Sequence, residues 1–203
     1  MTLCTEWLPP DDAGVSLGPF VPSVHLPVMM DVLRRSPWAV DDRYRGLTPA
    51  QWEAQLQHPS VMAWSGYDGE LCGGVLVAEH IDQTAGTCLL HGYGLPRHPG
   101  LPGRAGRLAV RYLRERLGVV TVLATLCVRN RGAILAAQRA GFLATGIVPR
   151  ARLHGGRRYD GVLMVHGGDL PPAGDLQARH DLIMRQVSRA WRGRGSKNNG
   201  KNR

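Results

Sequence analysis

Apolar positions along the chain follow two rhythms, and the switches between them mark out its elements. Residues 1 to about 24 carry neither; they are rich in Pro and Gly, with Pro9-Pro10-Asp11-Asp12 as a turn signal. They read as an irregular lead-in with room for one short strand. From His25 to Arg35 the spacing of Leu26, Val28, Met29, Val32 and Leu33 predicts a helix. Thr48-Pro49-Ala50-Gln51-Trp52-Glu53 opens a second one. Thr48 is placed to cap it, and Pro49 falls at the first helical position, where a missing N–H costs nothing. Three strand-like runs follow. Val61 to Tyr67 is joined through Asp68-Gly69, a hairpin signal, to Glu70–Glu79, and after a turn at Asp82–Gly86 comes Thr87–Tyr93.

The second half alternates helix and strand. A loop from Gly94 to Gly106, dense in Gly and Pro, leads into a helix carrying Leu108, Ala109, Tyr112, Leu113 and Leu117 at three-to-four spacing. Val119 to Val128 is β-branched and apolar, as a strand buried on both faces should be. Asn130 is a helix N-cap candidate, since its side-chain oxygen can accept from the free N–H groups of the first turn. An Ala-rich helix then runs to Gly141, the positive-φ stop, and Phe142 returns the chain to the sheet. Leu143–Val148 reads as a strand, Arg150–Arg158 as a basic turn segment, and Tyr159–His166 as the last strand. Pro171-Pro172-Ala173-Gly174 is a linker. Asp175 to Trp191 is an amphipathic helix with Leu176, Ile183, Met184, Val187 and Trp191 on one face. Gly193 to Arg203 contains almost only Gly, Asn, Lys and Arg and is expected to be disordered. These elements divide the chain into a lead-in with a first helix (1–47), a core (48–170), a linker with a terminal helix (171–192) and a basic tail (193–203).

Composition changes this picture in three ways. The 203 residues suffice for one core, and no apolar run is long enough for a transmembrane helix. The first residues also lack a signal-peptide layout, so a cytoplasmic protein is the expectation. Cys4, Cys72, Cys88 and Cys127 are widely spaced with no C-x-x-C, and the eight histidines show no ligand spacing. Free buried thiols and no metal centre are expected. The formal charge is +9, but the five Arg and two Lys between Arg185 and Arg203 account for all but +2 of it. The basicity belongs to the terminal helix and tail, where a partner protein, an anionic surface or a nucleic acid could dock.

Several stretches resemble the GNAT (GCN5-related N-acetyltransferase) family. Its second half carries Asn, then Ala three residues on, then Gly-Phe near the helix end; here these are Asn130, Ala133, Gly141 and Phe142. The hairpin Tyr67-Asp68-Gly69-Glu70-Leu71-Cys72-Gly73-Gly74 and the ending Tyr159-Asp160…Met164 are similar to the family's. The likeness spans about residues 48–166 and lies in the order of elements. It implies an α/β (α+β) fold with a mixed, mostly antiparallel central sheet flanked by helices, whose parallel strands splay apart at the cofactor cleft.

The same resemblance implies acetyl-CoA as co-substrate and an amine-bearing acceptor. The family's pyrophosphate loop reads Arg or Gln, two residues, Gly, one residue, Gly or Ala. Gly103-Arg104-Ala105 supplies the second part but leaves Gly100 where Arg or Gln belongs. A register from Arg97 and Gly100 instead puts Pro102 where Gly or Ala belongs. The cofactor-binding residues implied are Tyr93 and Leu95, with an oxyanion-stabilising N–H in this stretch, then Gly103, Arg104, Ala105, Gly106 and Arg107 for pyrophosphate, and Asn130 beside the pantetheine arm. His91, an imidazole titrating near neutrality, is the first choice of base for the amine, and Glu79, or His80 beside it, the second. Many relatives carry a Tyr at the position of Ala137 to protonate the leaving thiolate. Tyr159 and Tyr93 are the alternatives, and a thiolate can also leave unaided. The expected activity is acetyl-CoA-dependent N-acyl transfer. The alternatives are a catalytically inactive GNAT-fold structural or interaction protein, as in phage virions, and a GNAT-like nucleic-acid modifier.

Overall fold

A computed structural model describes residues 6–12, 14–35, 38, 41–95, 98, 100–167 and 173–192. Cys4, Arg97, the Pro171-Pro172 part of the linker and the tail from Gly193 lie outside them. In chain order the elements are β1 (Val15–Pro19), α1 (Pro22–Arg35), α2 (Asp42–Arg45), α3 (Pro49–Leu56), β2 (Met62–Asp68), β3 (Leu71–Asp82) and β4 (Thr87–Gly94). They continue with α4 (Leu101–Leu117), β5 (Thr121–Cys127), α5 (Arg131–Arg139), β6 (Leu143–His154), β7 (Arg157–Gly167) and α6 (Ala173–Arg192). Among these helices none is long and apolar enough to cross a membrane.

The strands form one seven-stranded sheet in the order β1-β2-β3-β4-β5-β7-β6. Every neighbouring pair is antiparallel except β4 and β5. That parallel pair is joined through α4, the long crossover that parallel strands require. The mixed, mostly antiparallel sheet expected from the sequence is therefore present.

Alternation along the strands sorts side chains onto two faces. Leu76, Ala78, Cys88, Leu90, Val122, Ala124, Val162 and Met164 pack against α4 (Leu108, Ala109, Leu113), with Ile183 and Val187 of α6 in the same core. Val75, Val77 and Tyr93 point the other way, onto Met29, Val32 and Leu33 of α1 and Trp52 and Leu56 of α3. Cys88 and Cys127 are buried free thiols whose pKa burial pushes up, to about 12 and about 11; Cys72 is half-buried, its thiol donating to the Gly74 carbonyl at 3.7 Å.

Local signals act as read at α3 and α5. Thr48 Oγ1 accepts from the Gln51 N–H (3.3 Å) while Gln51 Oε1 accepts from the Thr48 N–H (2.8 Å), a reciprocal capping box. Asn130 Oδ1 accepts from the Ala133 N–H at 3.1 Å, and Gly141 stops α5 with φ +95°.

Three expectations are corrected. α1 begins at Pro22, three residues before His25, with Pro22 at its first position and Pro27 tolerated inside it. α4 begins at Leu101, so Gly103 to Gly106 belong to its opening turns and not to a loop. These glycines answer to packing: a Cβ on Gly103 would stand 2.8 Å from Arg139 Cβ and 3.1 Å from the Ala136 carbonyl oxygen, and one on Gly106 would stand 3.0 Å from Ala140 Cβ. Finally, the segment read as a basic turn is mostly strand. β6 runs on to His154, and the turn is Gly155-Gly156, with φ of +57° and +69° as a two-residue hairpin of primed type requires.

Candidate active site

The site is made by the failure of β4 and β5 to stay paired. Their parallel register holds only at Thr87–Thr121, Cys88–Val122 and Leu89–Leu123. Beyond these pairs β4 continues to Gly94 and β5 to Cys127, so the strands diverge and leave a gap. A cavity of about 310 Å³ occupies it. Its lining mixes small residues, among them Gly92, Gly94, Gly106, Ala133, Ala136 and Ala137, with larger apolar ones such as Leu76, Leu90 and Phe142, and it includes Leu95, Pro102 and Asn130.

Backbone groups of β4 edge this gap. The Leu95 N–H donates to the Gly73 carbonyl at 2.8 Å. Antiparallel alternation then turns the N–H groups of Tyr93 and His91 toward β3 and those of Gly94 and Gly92 toward the gap. The N–H groups of this stretch that turn toward the gap are thus those of Gly92 and Gly94. Leu95 contributes its side chain to the lining, and the Tyr93 side chain is buried on the opposite face, its ring edge-on to Trp52. Burial lifts the Tyr93 hydroxyl far above the usual phenol range.

His91 and Glu79 stand on the same face as Tyr93. They are diagonal neighbours on β4 and β3, since Glu79 pairs with Leu89 and Val77 with His91. His91 Nε2 lies 3.3 Å from Glu79 Oε2, at an angle short of an ideal hydrogen bond. This imidazole, first of all, holds the Glu79 carboxyl below its ordinary pKa against the opposing pull of burial. A β-bulge between Glu79 and Asp82, with His80 at φ 52°, breaks the register immediately after Glu79. Bulges of this kind re-aim side chains next to functional clefts.

The other predicted residues divide. Asn130 lines the gap and caps α5, and its Nδ2 also donates to the Trp38 carbonyl at 3.0 Å. Gly106 lines the gap; Gly103 and Ala105 lie in the α4 packing interfaces. Arg104 reaches toward Asp68 at 3.7 Å, and Arg107 donates to the Arg139 carbonyl at the end of α5. Tyr159 stands apart from the gap, in edge contact with Trp38 (centroids 5.2 Å apart) and beneath the Arg129 guanidinium at 5.1 Å.

A further group faces the same side from β6, and sequence reasoning missed it. Asp41 Oδ2 accepts from the Leu153 N–H at 2.9 Å, and Asp42 accepts from the N–H groups of Gly155 and Gly156 at 3.0 and 2.9 Å. Those two bonds, Gly156 first, hold the Asp42 carboxyl below its usual range. Trp38 packs edge-on against His154 at 5.2 Å. Trp38, Asp41 and Asp42 are therefore in contact with the β6–β7 hairpin, Trp38 through His154. The pair Asp41-Asp42 in a stretch without periodicity was the one available signal.

Comparison with solved structures places this architecture. RimJ from Mycobacterium smegmatis, in complex with a CoA-disulfide, is similar with a TM-score of 0.67 and 16% identity over 91% of this chain and 96% of that one. RimL, a ribosomal L7/L12 α-N-protein acetyltransferase in complex with coenzyme A, gives 0.67 and 14% over 81% and 99%. A spermidine N-acetyltransferase from Vibrio cholerae, in complex with CoA and spermine, gives 0.66 and 14% over 77% and 96%. No family model and no curated protein matches the sequence. The chain therefore has the GNAT fold, with its splayed parallel strands.

Proposed function

We propose that the protein is an acetyl-CoA-dependent N-acyltransferase. The observation that carries this reading is the gap itself: a parallel pair that separates after three residue pairs, lined by small and apolar residues and edged by the strand N–H groups of Gly92 and Gly94. Such a gap suits a mostly apolar, flexible arm. The structural neighbours in complex with CoA or acetyl-CoA support the same reading.

Acetyl-CoA would supply the activated acyl carbon. Gly92 and Gly94 would offer backbone N–H groups where negative charge develops on the thioester oxygen. The small residues of α5 and Asn130 would flank the arm, and the opening turn of α4, an electropositive helix end, would lie toward its phosphates. His91 would take the proton from the attacking amine. Glu79, with Oε2 3.3 Å from Nε2, would favour the tautomer protonated there and so leave Nδ1 to accept. As the amine nitrogen bonds the acyl carbon, the carbon–sulfur bond breaks. Ala137 offers no acid, Tyr93 is buried on the far face, and Tyr159 does not line the gap, so the thiolate would leave without a side-chain proton donor.

The test is release of free CoA from acetyl-CoA in the presence of an amine panel. His91→Ala should lower kcat/KM about 10²–10⁴-fold with the dissociation constant for acetyl-CoA unchanged. An unaltered kcat/KM in a folded variant would remove His91 from the reaction.

A further inference from the structure

Arg152 is an unusual residue for its position. It lies on β6 opposite Tyr159 of β7, and strand alternation puts both, with His154, on the face that carries Cys127, Tyr93, His91 and Glu79. A guanidinium is always charged, and hiding it unpaired is costly. Yet Arg152 Nε is buried with no hydrogen-bond partner, and no carboxylate pairs with the group among the described residues. Its charge is felt at Tyr93, Cys127 and His154, the residues that share this face.

Two positions along, His154 is only 4% exposed, and both its ring nitrogens lack partners. The acids on this side are committed elsewhere. Glu79 faces His91, Asp41 holds the Leu153 N–H, and Asp42 holds the hairpin turn. Arg129 covers the rings of Trp38 and Tyr159. What is left open is one cation and one imidazole, both short of an acceptor and on the same face as the proposed base.

We propose that Arg152 and His154 form a carboxylate subsite for the acceptor, so that the amine acetylated belongs to an amino carboxylic acid. This rests on the transfer reading above. The guanidinium would hold the carboxylate by charge-assisted hydrogen bonds and the neutral His154 would donate one more, with the amine directed across Tyr93 toward His91. A polycation finds no spare acid here and meets Arg152 instead.

The test measures CoA release with free α-, β- and γ-amino acids, each beside its carboxamide, and with spermine. The expected result is turnover of at least one acid, with its carboxamide poorer by about 10–100-fold in kcat/KM, mainly through KM. Arg152→Gln should erase that preference while acetyl-CoA binding, measured by calorimetry, stays as in wild type. His154→Phe, which keeps the ring against Trp38, should weaken it. Acid and carboxamide used equally, or spermine used while every acid fails, would overturn the subsite and leave the transfer reading standing. Absence of acetyl-CoA binding by the folded protein would overturn both.

Discussion

The chemistry rests on a few side chains whose surroundings set their protonation. Four histidines away from the proposed base, His25, His154, His166 and His180, have pKa values below the ordinary one, in each case first because burial disfavours the charged ring. In His25, Nδ1 accepts from the Val21 N–H at 2.8 Å and Nε2 meets the Tyr67 hydroxyl at 2.8 Å, contacts that a neutral ring satisfies. The folded state thus binds fewer protons than the unfolded chain just below the free histidine value. The stability these rings contribute is fully present above about pH 6.5 and is lost as pH falls from there toward the depressed folded-state values. Melting temperature followed by circular dichroism should be level from pH 8 to 7 and decline below about 6.5; a level curve down to pH 5 would contradict neutral buried rings. Glu79 has the opposite sign. Its lowered pKa keeps it an anion throughout this range, so Glu79→Gln removes the charge beside His91 while keeping the shape, and about a tenfold loss of kcat is expected with acetyl-CoA affinity unchanged.

At the scale of elements, α6 is part of the fold. His180 Nδ1 accepts from the Ala144 N–H of β6 at 2.8 Å and its Nε2 faces the Gln138 amide at 3.1 Å. Trp191 Nε1 donates to the Val128 carbonyl, with Arg131 over the indole at 5.3 Å. The apolar face of the amphipathic helix read from the sequence is thus docked on the domain, with Ile183 and Val187 in its core. His180→Ala leaves the buried Ala144 N–H without its acceptor and should cost about 1–3 kcal/mol in urea unfolding. The hairpin clasp is likewise testable. Asp42→Ala removes both acceptors of the Gly155-Gly156 turn, and proteolysis at that turn should accelerate; an unchanged cleavage rate would mean the turn is held otherwise.

Legibility followed the range of the interaction. Thr48, Asn130, Asp68-Gly69 and Gly141 act within a few residues of themselves, and each element they bound was readable. The start of α4 and the extent of β6 were not, because contacts made by distant residues decide them: Gly103 and Gly106 answer to α5, and the β6–β7 turn answers to Asp42. His91 and Glu79 were named from the sequence as alternative bases; that they face one another is set by the pairing of β3 with β4. Arg152 and His154 were hidden inside a run of basic residues that resembles a solvated turn, and only pairing with β7 reveals that they share a face with His91.

For the whole molecule, the seven-stranded sheet, its two helical layers and the single parallel pair serve to hold one gap open. The solved structures that resemble it share this fold at 13–20% identity, so the fold persists where most of the sequence does not. The measurement that bears most directly on the central claim is calorimetric titration of acetyl-CoA into the wild type and into Ala133→Trp, which places an indole in the gap. Ala133 is half-buried at the cavity wall, so the variant should fold. Wild type should bind one equivalent with a dissociation constant on the order of micromolar, and the variant should lose at least about 100-fold. A folded wild type that binds no acetyl-CoA at millimolar concentration, or a variant that binds as tightly as wild type, would contradict the assignment of this gap to the acyl donor.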